Sequence, residues 1–252
     1  MSQTLRIPEI LELARRDGKV SVVGLAAHFG VTLQTIRRDL NDLALDGRLK
    51  RVHGGAILPS GVANIAYEER RALNQTGKSR IARAVARLIP NDCALFLNIG
   101  TTTEAVAAAL IHHQKLFVVT NNTNVAQILS ANPDCQVVVT GGVRRPADGG
   151  LVGELAARLV RDFKFDYAVI GCSALDADGD VLDYDLQEVV VSQAALCQAQ
   201  QAIVVCDHTK LARAAPARIA SLSDLDLVVT DTDLPETLKR RCKDWRTEIM
   251  VA

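Results

Sequence analysis

Long apolar runs are missing from this 252-residue chain, and nothing in it approaches the ~18 to 20 residues that a bilayer-spanning helix needs. The first residues, MSQTLRIPEILELARR, carry charges throughout and lack the continuous apolar core of a secretory signal. A cytoplasmic protein with no membrane partner is therefore expected. Net charge is missing as well. The 29 Lys and Arg balance 29 Asp and Glu, and with 48% hydrophobic residues this excludes a disordered chain. Such a length holds one large domain or two smaller ones. The six cysteines, Cys93, Cys135, Cys172, Cys197, Cys206 and Cys242, form no C-x-x-C pair and have no histidine nearby at ligand spacing. Reduced, mostly buried thiols and no metal are expected, with Cys172 and Cys206 at the ends of strand-like runs where a thiol can lie near a ligand. The stretch GTTT at 100–103 lacks the lysine of a P-loop, which excludes an ATP site of that kind. In Asp176-Ala177-Asp178-Gly179-Asp180 the glycine precedes Asp180, whereas a calcium loop needs it to follow, so a hairpin turn is expected there. No cofactor is implied.

Charge is present locally. The first 56 residues hold nine basic residues (Arg6, Arg15, Arg16, Lys19, Arg37, Arg38, Arg48, Lys50, Arg51) against six acidic ones, and the basic ones cluster late. Ile7, Ile10, Leu11 and Ala14 recur at helical spacing and stop at Asp17-Gly18. Ser21 caps a second helix carrying Leu25, Ala26 and Phe29 and ended by Gly30. Thr32 caps a third carrying Ile36, Leu40 and Leu43. Two short helices joined by a tight glycine turn make a helix-turn-helix. With Ile36, Leu40 and Leu43 inward, Gln34, Arg38 and Asn41 face outward, flanked by Thr35 and Arg37, and supply donors for phosphates and base edges. In the following hairpin Leu49 and Val52 are expected to pack inward while Lys50, Arg51 and His53 project toward a duplex, with Gly54-Gly55 as the turn. That combination is a winged helix. The segment TIRRDLNDLALDGRLKRVHGGA, residues 35–56, is similar to the signature of the DeoR-type bacterial repressors.

Residues 58–76 contain Pro, Gly and Ser followed by a charged run, as expected of a linker that ends in a helical turn. This divides the chain into a winged helix-turn-helix domain over 1–57, the linker over 58–76, and an effector and oligomerisation domain over 77–252. In the last of these, apolar runs at 94–97, 116–120, 136–140, 167–171, 203–207, 226–230 and 248–251 alternate with helical patterns. Strands apolar on both faces and separated by helices indicate a mostly parallel α/β sheet with both faces covered. Ligands bind such sheets beyond the carboxyl ends of the strands. The residues found there are small and polar: Asn98, Gly100, Thr101, Thr102 and Thr103 leading into a helix, then Asn121-Asn122, Gly141-Gly142 and Asp207-His208-Thr209-Lys210. Threonine hydroxyls and amides at a helix N-terminus make a phosphate cradle, with Lys210 as counter-charge.

IGTTTEAVA, VVTNNTNVA, GGVRRPADGGLVG, LDYDLQEV and DHTKLARAA resemble, in that order, the DeoR-family effector domain. The resemblance implies a fold like ribose-5-phosphate isomerase and glucosamine-6-phosphate deaminase and a phosphorylated sugar as ligand. Within the family, NIGTTTE, the arginine-bearing GGVRRPADGG and LDYDLQEV imply sn-glycerol 3-phosphate as inducer. Arg144 or Arg145, Glu188 and Asp207 are then added to the effector residues. Two positions depart from the family: Asn98 where Asp is frequent, and Ser192-Gln193 where Lys-Arg is frequent. The expected protein is a repressor of a carbohydrate or glycerol operon, binding double-stranded operator DNA as a homodimer or tetramer and released by a phosphorylated metabolite. One alternative is response to another sugar phosphate. The other is a phosphosugar isomerase or deaminase with an accessory DNA-binding module, for which Asp185, Glu188 and Asp207 are candidate bases without a matched acid-base pair or a catalytic motif.

Overall fold

The computed structural model describes residues 3–17, 19–46, 48–52, 54–57 and 67–252 and divides into two compact units, Met1–Ala63 and Asn64–Ala252. Among the described residues no helix is long and apolar enough to cross a membrane.

The first unit runs α1 (Gln3–Asp17), β1 (Lys19–Ser21), α2 (Val22–Phe29), α3 (Leu33–Leu45), β2 (Lys50–Val52) and β3 (Gly55–Ile57). The Ser21 hydroxyl accepts the Gly24 amide at the start of α2, and Gly30 closes that helix at φ 63°, a left-handed conformation that suits glycine. Thr32 accepts the Thr35 amide and starts α3 at once. Ile10, Leu11 and Ala14 of α1, Leu25 of α2 and Ile36, Leu40 and Leu43 of α3 form one buried core. Across it Arg6 of α1 grips Asp39 of α3 through two contacts, 2.8 and 3.2 Å. β3 pairs antiparallel with β2 and also with β1, a third strand that the sequence reading lacked.

The second unit opens with α4 (Tyr67–Ala72) and α5 (Gln75–Leu88), so ordered helix occupies much of the stretch expected as linker. Seven strands then form one wholly parallel sheet: β4 (Ala94–Leu97), β5 (Leu116–Thr120), β6 (Cys135–Val139), β9 (Phe165–Gly171), β12 (Ala199–Val205), β14 (Leu227–Thr230) and β15 (Glu248–Val251), in the order β15-β14-β12-β9-β4-β5-β6. The remaining helices are α6 (Thr101–Ala109), α7 (Thr123–Leu129), α8 (Glu154–Arg161), α9 (Leu186–Leu196) and α10 (Glu236–Trp245). Two small antiparallel sheets add β7 (Val143–Arg144) with β8 (Leu151–Val152), and β10 (Ala174–Leu175) with β11 (Asp180–Asp183) and β13 (Ala217–Ser221). The 176–180 segment turns between β10 and β11, as a hairpin should.

Strand period two sends alternate residues to opposite faces. Phe96, Ile170, Val204 and Val228 pack beneath α8 and α9 with Val160 and Val189. Their neighbours Leu95, Leu97, Val169, Val205 and Val229 pack with Ile81 and Val85 of α5 and Val106 of α6. Each such side chain, fully buried, stabilises the fold by about 1.5 to 3 kcal/mol, which is why the strands carry unbroken apolar runs. The result is a rigid sheet whose carboxyl edge positions the site.

Candidate functional site

From β4 the chain proceeds to β5 on one side, while β9 lies on the other side of β4. The connections leaving β4 and β9 therefore part, and a crevice opens at their carboxyl ends. It is lined by Ile99, Gly100, Thr101 and Thr102 after β4 and by Gly171, Cys172 and Ser173 after β9. Lys210, in the helical turn after β12, closes one side, and Asp183, Glu188 of α9 and Arg70 of α4 close the others. The space between these residues is about 10 Å³, room for roughly one water, so a larger ligand needs the walls to move apart.

Cations gather at one end. Lys210 is 8% exposed, and no hydrogen bond satisfies its ammonium among the described residues. Burial and then Arg213 depress its pKa, with Asp207 acting against them. Lys78, buried on α5, donates to the Arg70 carbonyl and is pushed down to about 8, chiefly by burial. Arg70 reaches Asp148 at 3.1 Å, while its Nε is buried without a hydrogen-bond partner. Beside these groups α6 begins at Gly100 with no side-chain cap, leaving first-turn amides for an anion. The Thr103 hydroxyl donates to the Asn98 and Gly100 carbonyls, each at 2.8 Å, and fixes this loop.

Carboxylates gather at the other end. Burial pushes Glu188 up to about 8, Asp183 adds to the rise, and Arg145 offsets part of it at 2.6 Å. The offset is incomplete because the one guanidinium also holds Asp148 and Asp185, each at 2.8 Å. Asp183 is likewise raised by burial, although the Tyr184 amide and Ser173 hydroxyl both donate to it.

Asn98 is buried behind the lining, bonded to Gly171 of the wall. Its Oδ1 accepts the Gly171 amide at 2.8 Å, and its Nδ2 donates to the Gly171 carbonyl at 3.0 Å and to the Ser192 hydroxyl at 3.2 Å. The two positions that depart from the family are thus hydrogen-bonded to each other. A neutral pair occupies them, and neither residue leaves a buried charge.

Of the expected effector residues the cavity collects Gly100, Thr101, Thr102, Glu188 and Lys210 along its wall, with Asn98 and Thr103 bracing the loop. The others do not line it. Asn121 and Asn122 donate to the Leu151 carbonyl and to Glu104, in a network that also holds Tyr67 and Asn124. Gly142, at φ 123°, packs so closely on the Val152 carbonyl that a Cβ would come within 2.7 Å, so its requirement is backbone packing, and Gly141 beside it is exposed. Arg144 is exposed on β7, while Arg145 turns to the acidic side. Asp207 caps the 208–210 turn, and its Oδ2 is buried without a partner. Cys172 does line the cavity. Its hydrogen bond with Cys206 and then burial push the Cys206 thiol up, which disfavours thiolate chemistry. No cluster of three metal-ligating side chains occurs among the described residues.

Sequence reasoning missed Arg70, Lys78 and Asp183. Arg70 and the cap of α5 lay in a charged run read as linker. Asp183 stood inside the LDYDLQEV segment, next to the residue that drew attention.

On the first unit, Gln34, Arg37, Arg38 and Asn41 are exposed on α3, and neither arginine is in an ion pair among the described residues. Thr32 is exposed at the cap and Thr35 half-buried behind it. Lys50 lies on β2, and His53 lies outside the described residues. Arg51 departs from the expected outward position. It is half-buried with Nη1 unpartnered, because residues two apart share a strand face and Leu49 occupies the inner one.

Residues 73–232 match the family model described as DeoR C terminal sensor domain, and residues 6–62 match the one described as DeoR-like helix-turn-helix domain. The chain belongs to the DeoR family. It is 42% identical over 251 residues to the glycerol-3-phosphate regulon repressor of Haemophilus influenzae, an alignment covering 100% of this chain and 98% of that protein. It is 41% identical over 249 residues to the repressor of the same name in Escherichia coli, covering 99% of each. The HTH-type transcriptional repressor CsqR of Escherichia coli is 37% identical over 98% of this chain and 94% of its own length. Ribose 5 phosphate isomerase A from Neisseria gonorrhoeae aligns over 53% of this chain and 52% of its own, at 11% identity and a TM-score of 0.40. That likeness is too remote to carry an argument. The DeoR-family chain is a transcriptional repressor rather than an enzyme, with a DNA-binding unit and a sensor unit.

Proposed function

We propose that this DeoR-family repressor controls an operon for glycerol or carbohydrate catabolism and leaves its operator when a phosphorylated small metabolite, sn-glycerol 3-phosphate, occupies the cavity at the β4–β9 crevice. The observation that carries the reading is Lys210. A largely buried lysine on the cavity wall, set beside Arg70, Lys78 and the uncapped start of α6, calls for an anion as partner. A phosphate supplies acceptors to Lys210, to the unpartnered Nε of Arg70 and to the first-turn amides of α6. The names of the relatives support glycerol 3-phosphate as the particular ester. Thr32, Gln34, Thr35, Arg37, Arg38 and Asn41 of α3, with the wing, are proposed to contact the duplex, and pairing of copies into a dimer or tetramer lets two recognition helices read symmetric half-sites.

Fluorescence anisotropy on DNA upstream of the neighbouring genes, at fixed salt, tests this reading with glycerol 3-phosphate, glycerol and other sugar phosphates as titrants. Release by glycerol 3-phosphate and not by glycerol is expected in the parent protein. Lys210→Gln is expected to keep operator binding and lose release. Release of that variant at the parent's ligand concentration would remove the cavity from the mechanism.

A further inference from the structure

The cavity has two chemically opposite ends, and the phosphate reading engages only one of them. The groups that act most on Lys210 are Arg213, Asp207, Cys172 and Arg70, whereas those that act most on Glu188 are Asp183, Arg145 and Asp148, with Arg70 also acting on Asp183. The two groups therefore sit in different surroundings, although both line the same space. Glu188 is 5% exposed and Asp183 4%. Arg145 donates to Oε2 of Glu188, and no described residue donates to its Oε1. Asp183 is already committed to the Tyr184 amide and the Ser173 hydroxyl. Glu188 thus presents to the cavity a carboxyl oxygen to which no described residue donates, on the same wall as a second carboxylate.

Building on the phosphate reading, we infer that Glu188 and Asp183 select a phosphate monoester whose carbon end bears hydroxyl groups and exclude one whose carbon end is a carboxylate. A hydroxyl donates to the open oxygen of Glu188 and, because it also accepts, it suits either protonation state of that residue. A ligand carboxylate brings a third acidic group into a pocket where Asp183 already opposes the ionisation of Glu188, and it has no proton to donate. The cation that pairs with Glu188, Arg145, is already shared among Asp148, Asp185 and Glu188, and Arg70 on the cavity wall is engaged by Asp148 and, in the phosphate reading, by the phosphate. An alkyl phosphate fails differently, since it leaves the buried oxygen unpaired.

Calorimetric titration of the full chain with sn-glycerol 3-phosphate, 3-phosphoglycerate and n-propyl phosphate tests this inference. The three share the phosphate and differ at the carbon end. Both analogues are expected to bind at least about tenfold more weakly than glycerol 3-phosphate. Equal binding of 3-phosphoglycerate overturns the inference while leaving the phosphate reading intact. Absence of binding by all three, or equal affinities in the parent and Lys210→Gln, overturns the phosphate reading itself. Asp183 raises Glu188, so Asp183→Asn alone lets Glu188 ionise, and Glu188→Gln alone leaves the Asp183 carboxyl in place. The double variant Asp183→Asn/Glu188→Gln is therefore the informative one, and 3-phosphoglycerate is expected to gain on glycerol 3-phosphate in it. The parent titrations stand on their own whether or not that variant folds.

Discussion

Replacing Asn98 by Asp changes one buried atom behind the cavity wall and tests how the neutral pair works. The Nδ2 that donates to the Gly171 carbonyl and Ser192 hydroxyl becomes an oxygen, which faces the carbonyl at a spacing of 3.0 Å. The new carboxylate is fully buried, as Asn98 is at 0% exposure, and Ser192 beside it is neutral. Its pKa must rise, because burial and an opposing carbonyl both favour the protonated form. A carboxyl that stays protonated in the folded chain at pH 7, against an unfolded value of ~3.9, costs about 4 kcal/mol, the difference of some three units at 1.36 kcal/mol each. Lys210 and Arg70 at the cavity wall recover part of this, which sets the expectation at about 2 to 4 kcal/mol. The sign follows from linkage. A raised acid pKa leaves stability intact below the unfolded value and lowers it as pH increases, so the variant should match the parent near pH 4 and fall behind toward pH 8. Urea unfolding of the sensor unit across that range measures the effect. Adding Ser192→Lys should restore much of the loss at pH 7, giving a favourable coupling in a double-mutant cycle. A single variant as stable as the parent at pH 7, or a double variant weaker than the single one, would refute the reasoning.

Two further outcomes are expected. Arg38→Ala removes an exposed cation from the outer face of α3 and should weaken operator binding and lower its salt dependence while leaving sensor-ligand affinity unchanged, as anisotropy and calorimetry on the same preparation would show. Glu188 is raised from an ordinary 4.5 to about 8, so between those values the folded chain keeps a proton that the unfolded chain releases. Sensor stability should then fall as pH rises from 4.5 to 8, and Glu188→Gln should flatten that part of the profile in chemical unfolding.

The strands of the sensor were legible because each is a short apolar run buried on both faces, and the boundaries read at 94–97, 116–120 and 248–251 agree with β4, β5 and β15. The helix-turn-helix was legible through its caps, since Ser21 and Thr32 act locally and need no distant partner. β1 was not. It has three residues, and its pairing with β3 joins Lys19 to Ile57, a contact that no local pattern announces. The site was half legible for a related reason. Glycine and threonine after β4 report their own backbone, whereas the roles of Arg70, Lys78 and Asp183 depend on what they meet across the fold. Asn121, Asn122 and Gly142 show the converse, because residue types that suit a ligand also suit a turn that must bond itself to its neighbours.

The narrowness of the cavity bears on rates. A space of about 10 Å³ admits no phosphorylated triose by simple diffusion, so association waits for an opening, and the measured affinity is reduced by the fraction of time the site is open. Rapid-mixing traces should therefore show an observed rate that levels off at high ligand concentration instead of rising in proportion to it. Arg70 takes part in that closure from α4, whose Tyr67 is bonded to Glu104 and whose Arg70 is bonded to Asp148. Tyr67→Phe and Asp148→Asn, which each remove one of those bonds, are expected to raise the plateau if α4 is the wall that moves.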